Sequence, residues 1–347
     1  MKILITGANG FIGQALARRL LDSGYDVFGI DIRAGEAMPD FMKQNFKQLD
    51  ILNVQGLDDL FATYEPNVVL HLASMLGHEK SDNKTFWDTN EGGTQNITEL
   101  CEKYSVQKLI FLSSNSIWCE DLHELVAEDH PYSFVEKYGD SKARCEEYLM
   151  SRNSNLQISI FRAPIIMGPQ RLGLFGLLFE FIHENKRLYT VGSGINTVQI
   201  LSIDDLVDAL LLCVEGRFEG VFNLGTSFNY SYRELLDYLV VSTNSKSRIV
   251  SIPAFFVIPL LKILNKLGLS PIGPYQYLTL VNNFGMNFEK FQAITGWAPV
   301  VDPKKSLFDS FQDWKKKSQA QALNSQENSA NMVVPKSLIY RIVKLLS

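Results

Sequence analysis

Short apolar runs alternate with longer amphipathic stretches through the first half of the chain. Ile3 to Ile5, Val27 to Ile30, Val68 to Leu72, Leu109 to Leu112 and Ile158 to Phe161 predict buried strands, and the segments between them predict helices. In the first of these helices Leu16 and Leu20 continue the spacing begun by Ile12, and Gly24 supplies the stop. Strands separated by helices imply parallel pairing, right-handed crossovers and helices on both faces, which is the doubly wound, Rossmann-type α/β class. After about Pro164 the rhythm loosens. Strand-like Val198 to Leu201 and Val221 to Leu224 alternate with helical stretches from Asp204 and from Ser231, predicting a smaller C-terminal lobe beside the sheet. The expected division is 1–164 for the sheet domain, with chain returns from the later part, and 165–314 mainly for the lobe. Residues 315–334 are expected to be a flexible linker and 335–347 an amphipathic helix.

With 46% hydrophobic and 20% charged residues over 347 positions, the composition suits a soluble, core-forming protein. The 33 basic against 38 acidic residues leave a net charge of -5, too little cationic field for a phosphate backbone, so no nucleic-acid partner is expected. Cys101, Cys119, Cys145 and Cys213 are far apart and form no CxxC pair, and they read as reduced thiols of a cytoplasmic protein. The opening MKILITG is too short for a signal-peptide core and reads as a strand.

The first strand runs into Thr6-Gly7-Ala8-Asn9-Gly10-Phe11-Ile12-Gly13 and then into a helix. A TGxxGxxG turn in that place lets the backbone approach a pyrophosphate, sets that dianion at the positive helix end, and allows close packing of helix on strand. A second strand ends at Asp31, 18 residues beyond Gly13, where a carboxylate can accept adenosine ribose hydroxyls and repel a 2'-phosphate. The expected cofactor is therefore NAD in preference to NADP, held by Gly7, Asn9, Gly10, Phe11, Ile12, Gly13 and Asp31.

Tyr138 and Lys142 lie four residues apart at the start of an amphipathic stretch, so on a helix they share a face. A nearby ammonium is expected to stabilise the phenolate and to move the phenol toward useful acid/base range. It could also reach the cofactor ribose. The strand Leu109 to Leu112 ends in Ser113-Ser114-Asn115-Ser116 at the edge of the ligand crevice, where one hydroxyl can hold a reacting oxygen. Ser113 and Ser116 are read as strand-end hydroxyls that cap the next turn.

These segments together resemble the extended short-chain dehydrogenases/reductases, more narrowly the NAD-dependent epimerase/dehydratase group, from Met1 to about Trp314. TGANGFIG is similar to the family's nucleotide loop, His71-Leu72-Ala73-Ser74 to its HxAA strand end, and Asn90 with Gly93-Thr94 to its NxxGT helix. Arg162 to Pro169, Ile203-Asp204-Asp205, Phe222 to Gly225 and Gly296 to Pro299 echo later landmarks. The resemblance implies cofactor contacts at Asp50, Ile51, Leu72, Ala73, Asn90, Tyr138 and Lys142, and a catalytic set of Ser114, Tyr138 and Lys142. Asn115 and Ser116 stand where dehydratases carry Asp and Glu, which disfavours 4,6-dehydration. Ile165 and Met167 replace the Asn and Tyr of RxxNxYGP, and Trp118-Cys119 replaces Tyr-Gly, which points to an unusual or relaxed substrate.

The implied activity is an epimerase or dehydrogenase acting on a secondary alcohol or ketone of a sugar-like, nucleotide-sugar substrate. The alternatives are a sterol-type reductase, like the 3-beta-hydroxysteroid dehydrogenases, and an NAD-sensing protein without turnover. His71 is read as a packed core histidine, and His78, His123, His130 and His183 lack metal-ligand spacing, so no metal site is expected. Asp204 and Asp205 are expected to cap the helix they begin. Glu120, Asp121, Glu124, Glu128 and Asp129 are read as a solvated loop above the crevice, with a second catalytic acid among them as the alternative.

Pro259 to Leu269 predicts an amphipathic helix that buries its apolar face in its own domain. Pro335 to Ser347 repeats the pattern, and from Lys315 onward six basic residues face one acidic, a net of +5. Such a tail suits shallow burial at an anionic bilayer, which would make the protein peripheral to the inner face of the membrane. Docking on the protein body or on a second subunit, as in a homodimer, is the alternative.

Overall fold

The structure is a computed structural model that describes residues 1–34, 39–77, 82–171, 174–267 and 273–323. Its centre is a seven-stranded sheet built from β1 (Lys2–Thr6), β2 (Asp26–Asp31), β3 (Phe46–Gln48), β4 (Val68–His71), β5 (Lys108–Ser114), β6 (Gln157–Ala163) and the strand Gly220–Asn223. The order across the sheet is Gly220–Asn223, β6, β5, β4, β1, β2, β3, and neighbouring strands pair in parallel. The chain therefore travels outward from β1 in both directions. The order reverses between β1 and β4, and the ligand crevice of an open α/β sheet lies beyond the strand ends at that point.

Helices cover both faces. Against one face pack α1 (Phe11–Asp22) and a later helix, Ile203–Glu215, through Leu16, Leu20, Leu206 and Leu210. The other face is covered by α2 (Val54–Tyr64), the helix Gly93–Lys103 and the helix Lys137–Met150, through Leu57, Phe61, Ile97, Cys101 and Leu149. Covered on both sides, β1 and β4 carry unbroken apolar runs instead of alternating ones. A third core holds the lobe together, where Phe179, Phe311 and Trp314 meet at ring distances of 5.7 to 6.3 Å.

Several expectations are corrected. Val221 to Leu224 belongs to the main sheet, beside β6, and not to the lobe. The run Val198 to Leu201 divides into Thr197–Val198, antiparallel to Tyr230–Ser231, and Ile200–Ser202, parallel to Ile165–Met167. The break falls at buried Gln199, whose amide bonds to Thr226 and Met286. The helix Ile203–Glu215 is capped by Ser202, which accepts from the Asp205 amide at 3.0 Å, while Asp205 itself turns inward to the amides of Val300 and Val301. β3 is absent from the expected strands because two of its three residues are exposed and leave no apolar run.

The last described helix, Pro303–Leu323, continues through 315–323, so that part of the expected linker is helical. Phe311 and Trp314 anchor the helix to the lobe from within. The rest of the expected linker and the segment 335–347 lie outside the described residues. The helix expected over Pro259 to Leu269 runs instead over Ala254–Lys266 among the described residues; Val257, Leu261 and Leu264 are half-buried, none of its residues is fully buried, and Phe255, Phe256, Leu260 and Ile263 are exposed, so the expected burial of the apolar face is only partial. Among the described residues no helix is long and apolar enough to cross a membrane.

Candidate functional site

The glycine turn is shaped by what it cannot contain. Gly7 has φ +70, and a Cβ there would lie 2.8 Å from the Ala73 nitrogen. A Cβ on Gly13 would meet the Gly7 carbonyl oxygen at 2.3 Å, so this position admits no side chain if α1 is to start against β1. Asp31 closes the turn from β2. It is 7% exposed, and its two oxygens accept the amides of Asn9 (3.1 Å) and Arg33 (3.0 Å). Lone pairs remain on both oxygens for a further donor. Asn9 is spent on structure, giving its amide to the Arg33 carbonyl and accepting from Gln14.

Leu72 and Ala73 lie against this turn, their amides bonded to the carbonyl and the hydroxyl of Thr6. Asp50 is exposed and holds the Leu52 amide, and the Ile51 side chain is buried, pressed on Gly93. Any contact of Ile51 with a ligand would be through its backbone. The Asn90 side chain bonds to Ser74, to the amide and carbonyl of Met75 and to Ser141. It thereby acts as a strut under the crevice floor, with its polar atoms already engaged.

A buried polar line runs beneath the floor. The Thr94 hydroxyl donates to the Asn90 carbonyl at 2.7 Å, so it must accept from His71 Nε2 at 3.1 Å, which makes Nδ1 the acceptor of the Thr6 hydroxyl at 2.7 Å. Burial, with Lys142 nearby, pushes His71 down to about 3, so it is neutral at physiological pH. The packed-histidine reading holds. Because the unfolded chain takes up this proton near pH 6.5 and the folded chain does not, stability falls as pH drops below that value. Between pH 7 and pH 5 the loss from His71 should be about 2 kcal/mol. Urea unfolding of the protein and of His71→Gln checks this: the variant should show the shallower pH dependence, and equal slopes would contradict it.

Ser114, at the end of β5, accepts the Ser116 amide at 3.1 Å and so performs the capping expected of Ser113 and Ser116. Ser113 donates to Glu146, and the Ser116 hydroxyl is buried without a partner among the described residues. Tyr138 and Lys142 share a face of the helix Lys137–Met150, as their spacing predicts. The expected lowering of the phenol is overturned. Burial pushes Tyr138 up to about 12, against smaller opposing effects from nearby Ser74 and from the Arg171 charge. Lys142 donates to the Leu112 carbonyl at 2.9 Å, lies 5.8 Å from the Tyr138 ring, and is itself pushed down to about 8 by burial.

Three residues that the sequence did not single out join the site. The guanidinium of Arg171 lies 5.7 Å from the Phe11 ring, and its charge acts on Tyr138 and Tyr275; its buried Nε has no partner among the described residues. Tyr275, from the helix Pro274–Thr279, donates to Asn115 at 2.8 Å. Glu136 accepts the Tyr275 amide at 3.5 Å, and burial raises its carboxyl. None of these sits in a repeated motif or at a strand end, and only the fold brings them together.

The loop expected to be solvated is partly tied down. Glu128 accepts the Asn223 amide, Asp121 accepts from Asn283, and Glu120 pairs with His130 at 2.6 Å. Trp118 is fully buried beneath Arg162, 5.0 Å from its guanidinium, and Met167 is fully buried in the lobe core. Neither replacement therefore alters the crevice surface, whereas half-buried Ile165 removes an amide.

Fold and crevice together define a dinucleotide-binding α/β enzyme. Residues 3–225 match the NAD dependent epimerase/dehydratase family, and the chain belongs to that family. Its cofactor is accordingly NAD, and the glycine cradle and Asp31 fit that group. The UDP-glucose 4-epimerase of Mycolicibacterium smegmatis is 31% identical over 252 residues, covering 68% of this chain and 80% of that protein. The human decarboxylating sterol-4-alpha-carboxylate 3-dehydrogenase is 31% identical over 219 residues, covering 61% and 57%. Among solved structures, UDP-glucose 4-epimerase with UDP-glucose from Thermotoga maritima superposes with a TM-score of 0.76 at 24% identity, covering 92% of this chain and 100% of that one.

Proposed function

We propose that this enzyme epimerises a secondary alcohol of a nucleotide sugar by transient oxidation, with Tyr138, Ser114 and Lys142 as its catalytic groups. The observation that carries the reading is the seating of the Tyr138 helix on the end of β5, where Lys142 bonds to the Leu112 carbonyl and Ser114 ends the strand, with Tyr138 near Ser74 beside the Ala73 that packs on Gly7. Gly7, Gly10 and Gly13 would admit the pyrophosphate, Asp31 would accept the adenosine ribose, and Asp50 with the Ile51 backbone would meet the adenine. Bound NAD supplies a site that accepts and returns hydride. Oxidation of the alcohol passes its hydroxyl proton to Tyr138 as the phenolate, a form the Arg171 charge favours against burial, and reduction returns that proton from the phenol to the ketone oxygen. Ser114 offers its hydroxyl proton to the reacting oxygen. Asn115, where a dehydratase would need a carboxyl acid, is engaged by Tyr275 and leaves oxidation and reduction as the chemistry.

Denaturing the purified protein and identifying the released nucleotide by mass spectrometry tests this directly. Retained NAD together with interconversion of UDP-sugar epimers, followed by NMR, is the expected result. A protein that arrives empty and accumulates NADH from added NAD is a dehydrogenase, and the proposal then fails.

A further inference from the structure

The helix Ala254–Lys266 has an outer face that nothing in the fold explains. Phe256, Leu260, Ile263 and Leu267 recur at a spacing that forms one stripe, with Phe255 beside it, and they are 65%, 55%, 58%, 64% and 69% exposed in that order. Isolated apolar residues on a surface are ordinary, but five on one short helix form a patch that marks an interaction site. The Phe255 and Phe256 rings lie against each other in the open, centroids 4.0 Å apart and planes tilted by 38°. The only charged residues between Pro253 and Gly273 are Lys262 and Lys266, both exposed, in a chain whose net charge is -5.

That charge selects the occupant. A second copy laid face to face would oppose lysines to lysines with no acid in either stripe. The sequence 335–347 carries Lys336, Arg341 and Lys344 and no acid, so it would be repelled as well. An apolar stripe flanked by lysines and rich in Phe and Leu is instead matched by hydrocarbon beneath anionic headgroups. We propose that the outer face of Ala254–Lys266 docks on an anionic lipid bilayer, with Phe255, Phe256, Leu260, Ile263 and Leu267 in the acyl boundary and Lys262 and Lys266 at the headgroups.

Flotation of the full chain with vesicles tests the proposal. The wild type should float with phosphatidylcholine vesicles containing phosphatidylglycerol and should float at least tenfold less with phosphatidylcholine alone. Lys262→Glu/Lys266→Glu should weaken binding to the anionic vesicles at least tenfold, since each lysine near such a surface contributes on the order of fivefold. Phe256→Ser/Leu260→Ser/Ile263→Ser should reduce flotation to background while the circular dichroism and NAD affinity stay unchanged, because no residue of this helix is buried. Three outcomes overturn the proposal: no flotation of the wild type, full flotation of both helix variants while Ile342→Glu/Leu345→Glu abolishes it, or a wild-type dimer that the serine variant converts to monomer without a change in flotation.

Discussion

Tyr138→Phe should lower turnover by about a hundredfold or more while leaving NAD affinity within about twofold, the scale expected when a positioned acid/base is lost. The substitution removes one oxygen and keeps the ring, so the packing of the helix Lys137–Met150 is retained and the missing hydroxyl carries the effect. That hydroxyl lies near Ser74 and Arg171, and burial holds its proton on at neutral pH. Single-turnover rates and NAD titrations separate the two quantities. If turnover is unchanged, Tyr138 has no part in the chemistry. If turnover and NAD affinity fall together, the residue serves binding instead.

Glu146→Ala should destabilise the protein by about 3–5 kcal/mol, a large share of the roughly 5–15 kcal/mol that holds a folded chain. Glu146 is fully buried and grips Arg162, itself 2% exposed, through Nε at 2.9 Å and Nη2 at 2.6 Å. It also accepts from Tyr132 at 3.0 Å and from Ser113. Removing the carboxylate strands a buried guanidinium and leaves two hydroxyls without an acceptor. The double variant Glu146→Leu/Arg162→Leu removes both charges and should recover most of the loss, because desolvating an ion pair consumes much of its attraction. Urea unfolding of the single and double variants decides the matter. A single-variant cost below about 1 kcal/mol would show that water reaches the pair.

The sheet was legible because its strands are covered on both faces and so appear as unbroken apolar runs, as in Ile3 to Ile5 and Val68 to Leu70. The glycine turn was legible for a steric reason: side chains are excluded at Gly7 and Gly13, and exclusion leaves a mark in sequence. Tyr138 and Lys142 were legible through helical spacing. Their electrostatics were not, since the sequence shows an amine near a phenol but not the burial that outweighs it or the Leu112 carbonyl that holds the amine. Arg171 and Tyr275 lie 33 and 137 residues from Tyr138, and no periodicity links them to it. The exposure of the helix Ala254–Lys266 was not legible, because amphipathic spacing tells which side is apolar and not what that side meets.

The hydrogen-bonded line from Thr6 through His71 and Thr94 to Asn90 continues, by way of Asn90 and Ser141, to the carbonyl of Tyr138. It works as a ruler laid under the coenzyme groove, fixing how far the pyrophosphate turn stands from the proton-transfer group. Errors in its length would leave affinity for each half of the coenzyme intact and show up as slow chemistry, the signature of a ligand that is held firmly in the wrong alignment.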